Sequence, residues 1–308
     1  MNVISRVGKE NLAYVYLAEF GKGNFTEFVE SLQPPLSREK KWVLIVSSLQ
    51  GCPVGCLMCD AGGWYKGRLS RDEILAQIDY MVERRFPNRN VPVEKFKIQF
   101  ARMGEPALNP EVIDVLNELP KRYKAPGLLP SVSTVAPEGT DGFFESLLET
   151  KERLYSGGRF QLQFSIHSTD RSARERLVPI KKWDFDRIAS YGKQFIRPGD
   201  KKISLNFALA SDSPLDSEIL IKHFSPELFL IKLTPVNPTV RATEHGISGA
   251  IQPSHSPSIE TLVKGLRGRG YDVIVSIGEV EENKIGSNCG QYVRRYLEKG
   301  VLAEGAYE

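Results

Sequence analysis

The 308-residue sequence has only four cysteines and four histidines. Four cysteines are too few to staple a chain of this length with disulfides, so cysteine here points to metal ligation or thiol chemistry in a reducing compartment. No segment approaches the length of a membrane span. The start, MNVISRVGKENLAYVY, lacks the cationic opening and apolar run of a signal peptide, so a cytoplasmic protein with no membrane partner is expected. Internal repeats and low-complexity segments are absent as well. A strong charge imbalance is also missing, and a formal net charge of +3 allows a polyanionic partner without requiring one. What is present is 41% hydrophobic and 26% charged residues, the composition of a chain that buries a substantial core.

Short β-type runs alternate with helical patterns. VLIVS (43–47), FKIQF (96–100), SVST (131–134), FQLQFSI (160–166), ISLNFAL (203–209), LFLIKL (228–233) and VIVS (273–276) read as strands. Ser70 and Glu73 are spaced as a capping box before Ile74, Leu75, Ile78, Met81 and Val82, which share one helical face. Asn109 and Pro110 open a second helix carrying Val112, Val115, Leu116 and Leu119. This alternation predicts an α/β protein with a parallel sheet, and about six units in roughly 200 residues suit a partial (β/α)6 barrel better than a complete eightfold one. The expected layout is an N-terminal extension with a hairpin around GKEN (1–40), a core barrel (41–240), and a C-terminal extension (241–308) that begins as a long polar loop.

Three of the four cysteines, Cys52, Cys56 and Cys59, lie in GCPVGCLMC directly after the first barrel strand, spaced C-x3-C-x2-C. Loops after the carboxyl ends of parallel strands are where such folds place their chemistry. Three thiolates can hold three corners of a four-iron, four-sulfur cluster and leave one iron open to another ligand. Zinc completed by Cys289 or a histidine, and simple electron transfer, are the alternatives.

CPVGCLMC resembles the cluster motif of the radical S-adenosylmethionine (radical SAM) superfamily, and further landmarks follow in order: VSSLQGC, RMGEPALN, SVST, FSIHSTDRSARERLVPI, TPVNP and GSNCGQY. Taken together they are most similar to the ribosomal-RNA adenine methyl synthases. The resemblance implies a 4Fe-4S cluster on Cys52, Cys56 and Cys59, SAM as second cofactor, and an external electron donor such as flavodoxin or ferredoxin. It implies that Glu105 meets the SAM ammonium, that Gly104 allows close backbone approach, and that Ser133, Ser165, His167 and Asn237 contact SAM. It also assigns Cys289, in CGQ, as a catalytic cysteine that is methylated and passes a one-carbon unit to an sp2 carbon.

The sequence departs from that pattern in ways that bear on the substrate. The resembled enzymes have a second cysteine in the strand before VSS, which resolves the covalent adduct. Here the position is Ile45, which has no nucleophilic atom. The glutamate near their amino end falls by a loose alignment at Ala13, and little chain precedes Cys52 to form their helical accessory domain. These differences favour a small-molecule substrate over RNA. RNA adenine methylation by the same chemistry, or an iron-sulfur protein that senses SAM or carries electrons, remain as other readings. The basic residues Lys181, Lys182, Arg187, Lys193, Arg197, Lys201 and Lys202 read as a solvated helix face.

Overall fold

The computed structural model describes residues 1–211, 213–249, 257–276, 282, 285–287 and 292–299. Three strands open the chain: β1 (Asn2–Lys9), β2 (Ala13–Glu19) and β3 (Phe25–Ser31). The parallel series follows with β4 (Trp42–Val46), then the short β5 (Leu49–Gly51) and β6 (Tyr65–Arg68) within the cysteine loop, then β7 (Phe96–Phe100), β8 (Leu128–Thr134), β9 (Gln161–Ser165), β10 (Ile203–Leu209), β11 (Phe229–Pro235) and β12 (Val273–Val275). Between them run α1 (Arg71–Arg85), α2 (Glu111–Arg122), α3 (Asp141–Leu154), α4 (Arg171–Leu177), α5 (Phe185–Phe195), α6 (Ser217–His223), α7 (Val240–Glu244) and α8 (Pro257–Gly268).

One ten-stranded sheet takes the order β1-β2-β3-β4-β7-β8-β9-β10-β11-β12. From β4 to β12 neighbours are parallel, whereas β1 to β4 are antiparallel. This is the expected partial barrel, with an antiparallel extension fused to its first strand. The hairpin at the amino end is present, but it continues into β3, a strand missing from the sequence reading. FTEFVES contains two glutamates and looks polar, yet Glu27 and Glu30 are both buried because each finds a cation, Arg102 and Arg85. The polar loop expected from 241 is likewise partly helical, because Thr239 caps α7 by accepting from the Ala242 amide.

Side-chain alternation along the parallel strands sorts them by face. Trp42, Leu44 and Val46 of β4 and Phe96, Ile98 and Phe100 of β7 join one large apolar core with Ile74, Ile78 and Met81 of α1. Each such side chain contributes about 1.5–3 kcal/mol on burial. The intervening residues, among them Val43, Ile45, Lys97, Gln99, Ser133, Gln163, Ser165 and Lys232, are half-buried on the inner face. The Ser70–Glu73 capping box forms as expected. Asn109 does more than start α2: its carbonyl accepts from Glu111 N, while its amide nitrogen donates to Ser48 O and Leu69 O, fastening the end of β4 to the next two loops.

Candidate active site

The chain leaves β4 through Ser47 and Ser48, both fully buried. Ser47 Oγ donates to Glu27 O and accepts from Met103 N at 3.1 Å, and its main chain is held on both sides by the Gln77 amide. The β5–β6 ribbon then encloses the cysteine loop. Cys52 N donates to Trp64 O at 3.0 Å, Cys59 N to Cys56 O at 3.2 Å, and Gly62 N to Cys59 O at 3.0 Å. At Gly62 a Cβ would stand 3.0 Å from Gly55 Cα and 3.2 Å from Cys59 O, so a larger residue there would press the two sides of the loop apart by a few tenths of an ångström.

Two later segments clamp the loop. Asp60, 1% exposed, accepts from Val240 N and Arg241 N in the first turn of α7, at 3.2 and 2.8 Å, where a carboxylate suits the unsatisfied amides. Thr239 donates to Met58 O, and the Arg241 guanidinium donates to Cys56 O and Gly55 O, both at 3.3 Å. Leu57 N donates to Leu177 O at the end of α4. Asp60, Thr239 and Arg241 were not foreseen. Their signal was available in the Asp directly after the last loop cysteine and the Thr directly after TPVNP.

The three thiols are half-buried and reduced, and their environment fits a polynuclear metal centre. Burial, and next the neighbouring charge of Cys59, push the Cys52 thiol up to about 12. Burial, then Cys59 and Cys52, push Cys56 well above its ordinary value. Three thiols that disfavour one another's ionisation become thiolates together only when a positively charged centre is present to compensate. Three thiols within one short loop are a donor set of the kind an iron-sulfur cluster takes.

The other expected site residues lie at or near the same ends of the strands. The Cys52 thiol receives a backbone hydrogen bond from Glu105, which brings GEP against the sulfur loop. The Glu105 carboxylate, 4% exposed, accepts from Ala107 N at 3.0 Å, Val135 N at 2.9 Å and the Thr134 hydroxyl. Burial nevertheless raises its pKa. Much of its accepting capacity is therefore used in joining the GEP turn to β8. At Gly104, φ is +97° and a Cβ would fall 2.4 Å from Leu49 Cβ, so the close approach that demands glycine is to the chain itself. Ser133 Oγ accepts from Gln163 Nε2 at 3.2 Å, and Ser165 sits beside Asn206 in the β9–β10 register. His167, at φ 65°, is buried. Its Nδ1 accepts from Ala208 N at 3.2 Å, which leaves Nε2 as the donor, and burial lowers its pKa to about 4. Asn237 is half-buried just beyond β11, where its carbonyl accepts from Thr239 N.

Cys289 lies outside the described residues, but the residues flanking it are held in place. Glu27 and Arg102 form an ion pair at 2.5 Å, with side chains 0% and 2% exposed. Arg102 donates onward to Gly286 O at 2.7 Å and Ser287 O at 3.0 Å, and Glu27 accepts from Val293 N at 3.0 Å at the start of the helix Tyr292–Lys299. One buried pair thus fastens the chain on both sides of Cys289. Val293 packs with Ala61 and Met103, against which Cys52 and Cys59 also rest. Ile45 and Ile285 each pack against the apolar cluster that contains Val29 and Tyr292. Glu27 and Arg102 also escaped the sequence reading, and Ala13, buried and apolar on β2, has no acid to offer.

No protein-family model matches the chain. It is 27% identical over 260 residues to the probable dual-specificity RNA methyltransferase RlmN of Desulfitobacterium hafniense strain Y51, covering 82% of this chain and 67% of that one. It is 27% identical over 264 residues to the ribosomal RNA large subunit methyltransferase Cfr of Shouchella clausii, covering 82% and 69%. Among solved structures, a radical SAM methyltransferase from Sphaerobacter thermophilus aligns over 94% of this chain and 80% of its own, with a TM-score of 0.68 and 21% identity.

Proposed function

We propose, from the premise that this chain is a radical SAM methyltransferase using a 4Fe-4S cluster and SAM, that it passes a one-carbon unit from Cys289 to an sp2 carbon of a small molecule rather than of ribosomal RNA. When bound, the cluster and SAM supply one-electron cleavage and the methyl donor. The residues of the chain bind and orient. Cys52, Cys56 and Cys59 hold the cluster. The GEP turn, held to Cys52 by the Glu105 backbone hydrogen bond, would bind the amino acid end of SAM, and Ser133, Ser165, His167 and Asn237 would contact the rest of it. An electron donor such as flavodoxin or ferredoxin completes the system.

The observation that carries this reading is the buried Glu27–Arg102 pair. It fastens residues 286–287 and 293 beside the sulfur loop, as a thiol carrier between them would need. Ile45, half-buried against the apolar cluster of Val29 and Tyr292, supports a release route different from disulfide resolution. Its test is intact-protein mass spectrometry after expression with labelled methionine, followed by anaerobic turnover with SAM and reductant. A methyl mark on Cys289 is expected, and Cys289→Ala should form 5′-deoxyadenosine but no alkylated product. Full product from Cys289→Ala would end the carrier assignment.

A further inference from the structure

We infer that the β5–β6 ribbon around the sulfur loop is the docking surface for the electron donor, and that this donor is an acidic protein carrying a one-electron centre. The inference deepens the reading above by placing its electron donor, and it rests on that reading for the cluster. Lys66 and Arg68 of β6 and Lys22 of the β2–β3 turn are exposed, and so is Tyr65, at 45%. Lys66 Nζ donates to Gly23 O at 3.0 Å, which joins the ribbon to that turn and brings Lys22 into the same patch.

The patch carries no acid that neutralises it. Among the described residues, none of Lys22, Lys66 and Arg68 pairs with a carboxylate. Acids beside it in the chain are engaged elsewhere: Glu19 accepts from Gly23 N at 2.7 Å, Asp72 pairs with Arg71 at 3.0 Å, and Glu73 accepts from Ser70 N in the capping box. Unpaired surface cations are ordinary by themselves. What sets these apart is the wall on which they stand.

Cys52 N donates to Trp64 O, and Gly62 N donates to Cys59 O, both at 3.0 Å. Two of the three cysteines are therefore each one hydrogen bond from the segment 62–64, which runs directly into the exposed Tyr65. Gly51, immediately before Cys52, is the register partner of Tyr65. Trp64, Cys52 and Cys59 each rest against the apolar group that contains Ala61 and Met103. Other sides of the loop are covered, by Asp60, Thr239 and Arg241 at α7 and by the end of α4 at Leu57. The ribbon is its exposed wall. Electron transfer weakens steeply with each added ångström, so a carrier has to seat where little protein separates its centre from the cluster. From Cys52 to Tyr65 the path is one hydrogen bond and one peptide link. One electron passes from the reduced donor, which is thereby oxidised, to the cluster, and no bond is made or broken at the surface.

A cationic patch selects a partner of opposite charge and speeds the encounter at low ionic strength. Redox encounters use small interfaces, below about 1,200 Å2, so three cations around one exposed tyrosine are enough for a docking patch. A nucleic acid would also answer to three cations, but the short path to Cys52 serves only a carrier of electrons.

The test is calorimetric titration of the anaerobically reconstituted full chain with an acidic flavodoxin. It is paired with the rate of SAM cleavage driven either by that flavodoxin, reduced, or by photoreduced 5-deazariboflavin, a small uncharged reductant. The double variant Lys66→Glu with Arg68→Glu should weaken flavodoxin binding by about tenfold or more at low salt, with the gap closing at high salt. Its cleavage rate should fall with flavodoxin and stay unchanged with 5-deazariboflavin, and its iron content should be unchanged. Lys22→Glu, which lies outside the ribbon, should show a smaller loss of the same kind and decides the matter if the double variant fails to assemble a cluster. Lys193→Glu, on the exposed side of α5, should alter neither measurement. Unchanged flavodoxin binding in the charge-reversed variants, an equal loss of cleavage with both reductants, or lost binding of a single-stranded oligoribonucleotide with flavodoxin binding retained would each overturn the inference. Cleavage driven by 5-deazariboflavin needs no docking and so reports separately on the cluster and SAM.

Discussion

The sulfur-loop end of the barrel and the lysines before β4 and β7 treat charge in different ways. At the carboxyl ends charges are matched: Asp60 by two helix amides, Glu105 by two amides and a hydroxyl, Arg241 by two carbonyls, and Glu27 by Arg102. At the amino ends Lys41, Lys95 and Lys97 face other lysines. The matched end is rigid by construction, which suits a loop that must hold three thiols in a fixed relation. The amino ends instead carry the cost of like charges brought together. The barrel core between them is apolar and does not distinguish the two ends, so the difference belongs to the site rather than to the fold.

The strongest way to break the matched end is at its centre. Changing any of Cys52, Cys56 or Cys59 to Ala should reduce anaerobically reconstituted iron well below the about four per chain expected of a cubane, and SAM cleavage to background. Iron and sulfide analysis with 5′-deoxyadenosine detection reads both. Retained cleavage in any one of the three variants would remove that thiol from the ligand set.

Next in size is the clasp. Arg102→Met leaves Glu27 buried without its cation, a change that typically costs about 3–5 kcal/mol. Glu27→Met added to it removes the stranded charge and should recover part of that loss. Denaturant unfolding of the single and double variants measures the difference. A single-variant cost below about 1 kcal/mol would mean that the pair behaves like a surface ion pair and holds the 286–293 segment only weakly.

The sulfur loop could be read in the sequence because its ligands are neighbours along the chain, and α1 because its cap and apolar spacing are local. The strands of the barrel were legible for the same reason. Glu27, Arg102 and the lysine group were not, because each acquires meaning only across the sheet. Glu27 meets an arginine 75 positions away, and Lys41, Lys97 and Lys232 come together through the order of β4, β7 and β11. The basic run at 181–202, which is visible in sequence, instead spreads into separate pairs, Arg187 with Asp141, Arg197 with Glu152 and Lys202 with Asp272. Charge density along a chain is a poor guide to charge density in space.

A milder test of the matched end is Asp60→Ala, which strands the first-turn amides of α7 and loosens its hold on the sulfur loop. Hydrogen bonds to a charged acceptor set the loss at roughly 1.5–3 kcal/mol. The same denaturant measurement checks it, and a partial drop in iron retention should accompany it. Unchanged stability together with unchanged iron content would show that Arg241 and Thr239 alone suffice to hold the loop.

The smallest effect expected is a pH dependence at the unmatched end. Lys97 falls from an ordinary 10.5 to about 7 on folding, chiefly by burial and then by Lys232, Lys41 and Lys95. Between those values the unfolded chain binds more protons at this position than the folded one, so stability rises with pH across the window. The penalty is complete below pH 7 and is relieved as pH climbs from about 7 towards 10.5. Lys97 is only half-buried, so solvent screening should hold the gain from pH 7 to pH 9 to about 1 kcal/mol or less. Lys97→Met removes the group, and its stability curve should lie above that of the unsubstituted protein at pH 6.5, with the gap narrowing as pH rises to 9. Parallel curves, with and without the lysine, would show that the amino-terminal end bears no such cost, and the contrast between the two ends would disappear.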